Sequence, residues 1–271
     1  MFRLLRRKTR RWRTSNHKNQ IQADPNRSPV YLSKNLEENL HILRQALGQS
    51  SDVIIRDMKI SSNSNVDVAV VYIDGLVDRE MLNRDILQPL MFNLQLIRDN
   101  VSQNRSNLID FIKSSVLTVG QITETEDIDR VISEVLSGHI AILAEGVTRA
   151  LLIDAKGWKE RSIEEPKNEV SIRGPKDSLT ETLRTNTALL RRKIRDPRLT
   201  FQSLQIGERS KTDVAVAYIK GITPDNLIEE INQRLKRIDT DAILDVGYIE
   251  QFIEDSPASL FPTVGNSERP D

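Results

Sequence analysis

Two pairs of carboxylates, three histidines and an arginine-rich arm are the residues whose types could do chemistry in this chain. General acid–base work needs a positioned carboxylate with a partner base or a nucleophile. Neither Asp67 with Asp74 nor Glu164 with Glu165 has such a partner in the pattern around it. His17, His41 and His139 are scattered and lack metal-ligand spacing. The chain has no cysteine, so thiolate metal sites, disulfides and a cysteine nucleophile are excluded, which fits a reducing compartment. No serine-hydrolase elbow, zinc-protease motif or phosphate loop is present. Asp74-Gly75 precedes a predicted helix, and a helix N-terminus can hold an anion. A single glycine lacks the multi-glycine pattern of a phosphate loop, so the pair reads as a turn. The pattern assigns no catalytic, cofactor-binding or metal-binding residue.

The arm is the other chemical feature. Residues 1–27 carry nine Lys/Arg against one acid, Asp24, a net +8, and the remainder is −8, so the formal charge of zero hides an asymmetry. Arg6, Arg7, Arg10, Arg11 and Arg13 are candidates for contact with an anionic surface. Trp12 among them suits a lipid headgroup layer or a nucleic acid, and the stretch also has the composition of a transit peptide. Residues 1–30 show no apolar period, which predicts a disordered basic tail. No stretch approaches the apolar run of about 18 residues that a spanning helix needs. The chain reads as soluble and unexported.

The elements are organised around a repeat. Asp67–Gly75 (DVAVVYIDG) recurs as Asp213–Gly221 (DVAVAYIKG), seven of nine residues identical at an offset of 146. The register extends upstream: VIIRDMKI lies over LTFQSLQI, with the six-residue connectors SSNSNV and GERSKT between strands. Lys220 replaces Asp74, so the shared residues are the apolar ones, the opening Asp67 and Asp213, and the turn glycines Gly75 and Gly221. A register kept across strand, loop and strand predicts a tandem pair of related units. The expected division is a tail over 1–30, a first subdomain over 31–158, a charged linker over 159–176 and a second subdomain over 177–271. The expected class is α/β with α+β character, each subdomain a small mixed sheet with flanking helices.

Within the first unit, Leu36, Leu40, Leu43 and Leu47 form one apolar helical face, with Ser33 as N-cap and Gly48 as stop. Strands follow at 53–60 and 66–73; the second is apolar on both faces, as an interior strand would be. Asp78 caps the next helix, which Pro89 should end or kink. Another helix covers 104–114, and Thr125 or Asp127 caps one that ends at Gly138. Two strands then flank the Glu145-Gly146 turn. In the second unit a helix is expected at 178–194, strands at 199–206 and 212–219, and a helix with Thr223 as cap and Pro224 in its first position. A short helix around residues 245–255 should turn Ile249, Phe252 and Ile253 to one side, and FPTVGNSER should be extended. The second unit has no counterpart of the first unit's last helix and hairpin, which suggests a fragment of a longer protein cut before them.

Residues 162–194 and 241–271, with the doubled VAVVYIDG/VAVAYIKG strands, resemble the N-terminal hydrophilic domain of the A subunit of GerA-family spore germinant receptors. The resemblance covers about residues 33–271. It implies a non-enzymatic part of a nutrient receptor, with a multi-pass membrane region following it in the inner membrane of the spore. It further implies B and C subunits as partners, other A subunits in an oligomer, and a position for this domain on the spore-core side. Assembly and transduction of the signal that triggers germination are the expected roles. The alternative is a small-molecule nutrient site in a cleft between the subdomains. No cofactor is implied, and nucleic acid is a weak expectation confined to the arm.

Overall fold

A computed structural model describes residues 29–61, 66–92, 108–157, 177–255 and 263–270. The arm with Arg6, Arg7, Arg10, Arg11 and Arg13, the expected linker, and Glu164 and Glu165 lie outside the described residues.

Helix α1 (Leu36–Leu47) buries its four predicted leucines. Its N-cap is Asn35, which accepts from the Glu38 N–H, and not Ser33. Ser33 is instead clamped by Asn39, whose Oδ1 accepts from the Ser33 N–H at 2.8 Å while its Nδ2 donates to the Ser33 carbonyl at 2.7 Å. With both backbone groups of Ser33 held by that amide, the cap falls two residues later.

Strands β1 (Val53–Ser61) and β2 (Val66–Ile73) form an antiparallel hairpin, with Val53 opposite Ile73 and Lys59 opposite Asp67. Gly75 turns the chain at φ 92°, and Asp78 caps α2 by accepting from the Glu80 and Met81 N–H groups. This helix is α over Arg79–Met81, π over Leu82–Leu87 and α again over Gln88–Phe92, so it runs through Pro89 where an end or kink was expected. The wider π turn immediately before the proline loosens the ladder that its ring would otherwise clash with. Thr118 Oγ1 approaches the Asp85 carbonyl, four residues before Pro89, at 3.5 Å.

Helix α3 (Leu108–Phe111) continues as a π turn over Ile112–Val116. Residues expected to lead into a helix form β3 (Ile122–Thr125) first. Asp127 then caps α4 (Ile128–Leu136), and β4 (His139–Ala144) and β5 (Ala150–Asp154) follow as predicted. The five strands lie in the order β1-β2-β4-β5-β3 and pair antiparallel throughout.

Both faces of this sheet are covered. Ala69, Val71, Ile73, Ala141 and Leu143 pack under α1 and α4, and Val68, Val70, Ile140 and Ile142 pack under α2 and α3. Two covered faces explain why β2 reads as continuously apolar: Val68, Ala69, Val70 and Val71 are all fully buried.

The second copy of the repeat begins with α5 (Leu183–Lys193) and the antiparallel hairpin β6 (Leu199–Ile206) and β7 (Thr212–Ile219). In α6 (Asp225–Lys236) Pro224 is the cap with extended ψ of 134°, so the helix starts one residue later than expected. In α7 (Val246–Ile253) Ile249 and Ile253 pack inward, whereas Phe252 is half exposed. The motif that forms an interior strand of the first sheet is an edge here: among the described residues β7 pairs with β6 alone. The α/β class stands, with antiparallel pairing throughout and very unequal cores in its two copies.

Candidate functional site

The two copies meet where β1 begins and β2 ends. Arg191 on α5 is fully buried, and its guanidinium reaches into the Ser50–Asp52 loop of the first copy. Nε donates to Asp52 Oδ2 at 2.7 Å and Nη2 to Asp52 Oδ1 at 3.0 Å, a two-pronged pairing of planar groups. Nη2 also donates to Ser50 Oγ at 3.1 Å, and Nη1 to the Asp196 carbonyl at 3.3 Å. Ser50 Oγ donates to Asp52 Oδ1 at 2.5 Å and accepts from the Phe201 N–H at 2.8 Å. The Phe201 carbonyl accepts from the Ser51 N–H at 3.0 Å, so one edge of β6 is hydrogen-bonded to the first copy. The guanidinium carbon sits 5.2 Å from the centre of the Phe201 ring, within cation–π range.

A second contact lies beside it. Asp74 pairs with Arg184 of α5 and, at 3.4 Å, with Arg79. Ala188, one turn before Arg191, joins the apolar cluster under α1 and α4. Gly75 permits this approach, because a Cβ there would lie 3.1 Å from the Ala188 Cβ and 3.3 Å from the Arg184 carbonyl.

An isolated buried charge is expensive, and a buried pair is tolerable when every donor and acceptor is matched. Here three guanidinium nitrogens and both Asp52 oxygens have partners. Asp196, whose backbone joins this network, has its own carboxyl held below the ordinary range, first by the hydrogen bond from Arg198. The Ser50 hydroxyl does meet a carboxylate, but both groups are buried and Asp52 is already paired with Arg191. Its chemistry is that of a specific, directional joint.

Sequence reasoning did not find Ser50, Asp52, Arg191 or Phe201. A signal existed for Arg191: it follows Ala188 by three residues on the inward face of α5, where an apolar residue belongs. Asp52 precedes an apolar strand like any turn acid and carried none. Of the described residues singled out as site candidates from sequence, Asp74 and Gly75 lie at this joint. Asp67 is the second residue of β2 and not its first, and its carbonyl accepts from the Glu145 N–H. Asp213 accepts from Gln205 Nε2 across the β6–β7 hairpin, and Gly221 turns the chain at φ 80°. His41 is exposed near Gln45, and His139 lies 3.1 Å from Glu134. Among the described residues no three His, Cys, Asp or Glu side chains gather as a metal site would require.

The family described as Bacillus/Clostridium GerA spore germination protein matches residues 41–271. The chain belongs to the GerA spore germination family. This GerA-family chain is 39% identical over 243 residues to spore germination protein KA of Bacillus subtilis (strain 168), covering 90% of itself and 43% of that protein. It is 36% identical to spore germination protein B1 of the same organism, covering 89% of itself and 48% of that protein. The chain thus spans less than half the length of these curated relatives. Its fold is similar to the crystal structure of the N-terminal domain of the A subunit of the Bacillus megaterium spore germinant receptor GerK3, with a TM-score of 0.66 and 36% identity. That match covers 90% of this chain and 88% of the other. Among the described residues no helix is long and apolar enough to cross a membrane.

Proposed function

We propose that this chain is the N-terminal, non-catalytic part of a germinant-receptor A subunit, and that it supports assembly and carries the signal that triggers germination. On this reading its partners are the B and C subunits and other A subunits, and its place is the spore-core side of the inner membrane. The observation that carries the reading is the Arg191–Asp52 joint, fully buried at the arginine and linking positions 139 residues apart. A joint with matched charges holds one relative placement of the copies, so a displacement imposed on one is transmitted to the other.

The test uses spores producing the full-length receptor with Arg191→Met. With the subunit present in the spore membrane at normal abundance, the response to a panel of amino acids, sugars and ions should slow at least about tenfold. Arg191→Lys, which keeps charge but loses the fork, should fall between the two. Normal kinetics in both variants would overturn the signalling role.

A further inference from the structure

The motif shared by β2 and β7 has different surroundings in the two copies. β2 lies between β1 and β4, its Val68–Val71 stretch opposite Ala141–Ala144. β7 has β6 on one side and, among the described residues, no strand on the other. The cost is visible in the burial: Ala217, which matches fully buried Val71, is exposed, and Val214 and Val216 are half-buried. An open apolar edge of this kind is a template for strand addition.

The first copy shows how such an edge is covered. Thr125-Glu126-Asp127 runs beside the residues preceding α1, with the Leu32 N–H donating to the Glu126 carbonyl at 2.8 Å. The Asp127 N–H donates to Thr125 Oγ1 at 3.1 Å, α4 starts at the next residue, and Gly138 (φ 91°) turns the chain into β4.

The second copy reproduces the beginning of that path. Leu179 stands where Leu32 stands, because the next residue, Thr180, is clamped by Asn186 as Ser33 is clamped by Asn39. The Leu179 N–H donates to the Glu268 carbonyl at 2.7 Å, and the Arg269 N–H to Ser267 Oγ at 3.1 Å. Ser267-Glu268-Arg269 therefore occupies the place of Thr125-Glu126-Asp127, at the point from which α4 springs.

We propose that the edge of β7 left open among the described residues is the docking site for a strand of the same polypeptide, supplied, on the reading of this chain as the N-terminal part of a receptor subunit, by residues that follow Asp271. The strand arrives through a helix equivalent to α4 and runs antiparallel to β7. It is apolar on both faces, as β4 is. This assignment does not depend on the signalling role.

These 271 residues contain no cysteine, so the thiol introduced at position 217 is the one thiol within them. Ala141 is the fourteenth residue after Asp127 and faces Val71. In the full-length receptor, Ala217→Cys is combined with cysteine at each of the twelfth to sixteenth residues after Arg269, and Val71→Cys with Ala141→Cys serves as control. Oxidation should link Ala217→Cys within one chain, with highest yield at the fourteenth position, and hydrogen exchange of β7 should be as slow as that of β2. Links between two chains would assign the edge to a second copy and overturn the proposal. Failure at every position while the control pair closes, or fast exchange throughout β7, would overturn it as well.

Discussion

Arg44 and Arg191 occupy matching places in the two copies, yet one is a surface side chain and the other a buried anchor. Arg44 is half exposed and reaches Glu37 and Asp57 at 3.4 Å, in a geometry worth little in water. Arg191 has no exposed surface, because the Ser50–Asp52 loop closes over it. Removing one member of a buried pair leaves the other charged and unmatched, at a cost of about 3–5 kcal/mol. Arg191→Met should therefore lower the urea midpoint sharply with little change in slope, and Asp52→Asn should do likewise. The double variant should cost less than the two singles together, because both remove the same interaction; strict additivity would show that Arg191 and Asp52 do not act as a pair. Arg44→Met should have almost no effect. Asp196 adds a dependence on pH. Its folded carboxyl titrates below the ordinary range, so its contribution is present above the unfolded value, about 4, and is lost as pH falls through the lower folded value. Asp196→Asn should flatten the acid limb of the stability–pH curve below about pH 4, and an unchanged limb would remove Arg198 as the cause.

At the scale of elements, the two turn glycines separate backbone strain from packing. Gly75 and Gly221 both have positive φ, 92° and 80°, so alanine at either is strained by roughly 1–3 kcal/mol. Only at Gly75 would the new Cβ also meet α5; around Gly221 nothing lies within 4 Å. Gly75→Ala should be more destabilising than Gly221→Ala in urea unfolding, and equal losses would mean that α5 can move aside. The same pair shows what was legible. The repeat register, the hairpins, the four-leucine face of α1 and the interior character of β2 could be read directly, because periodicity and turn chemistry are local. β3 was hidden because ITET is short and runs into a capping pattern. The π turn before Pro89 was hidden because it depends on how α2 lies on the sheet. The joint was the least legible part: Ser50, Asp52, Arg191 and Phe201 come from three separated stretches whose only common property is their meeting in space.

For the whole molecule, the repeat implies equal halves and the packing denies it. The first copy buries two apolar layers against a five-stranded sheet, whereas the second has Ile206, Leu235 and Ile243 as its fully buried cluster beneath two strands. Each fully buried side chain of this kind contributes roughly 1.5–3 kcal/mol, so the second copy draws much of its order from attachment to the first through Arg191, Ala188 and the β6 edge. Local opening follows local burial. In the 271-residue chain, native-state hydrogen exchange should show β7 and α6 opening at lower denaturant than β2 and β4. Phe201, whose N–H is held by Ser50, should be more protected than the middle of β7. Arg191→Met should then drop Phe201 to the level of its neighbours and leave β2 and β4 nearly unchanged. Equal protection of β2 and β7 in this chain would mean that the second copy is stable on its own. Loss of protection in β2 and β4 on removing Arg191 would mean that the dependence runs in both directions.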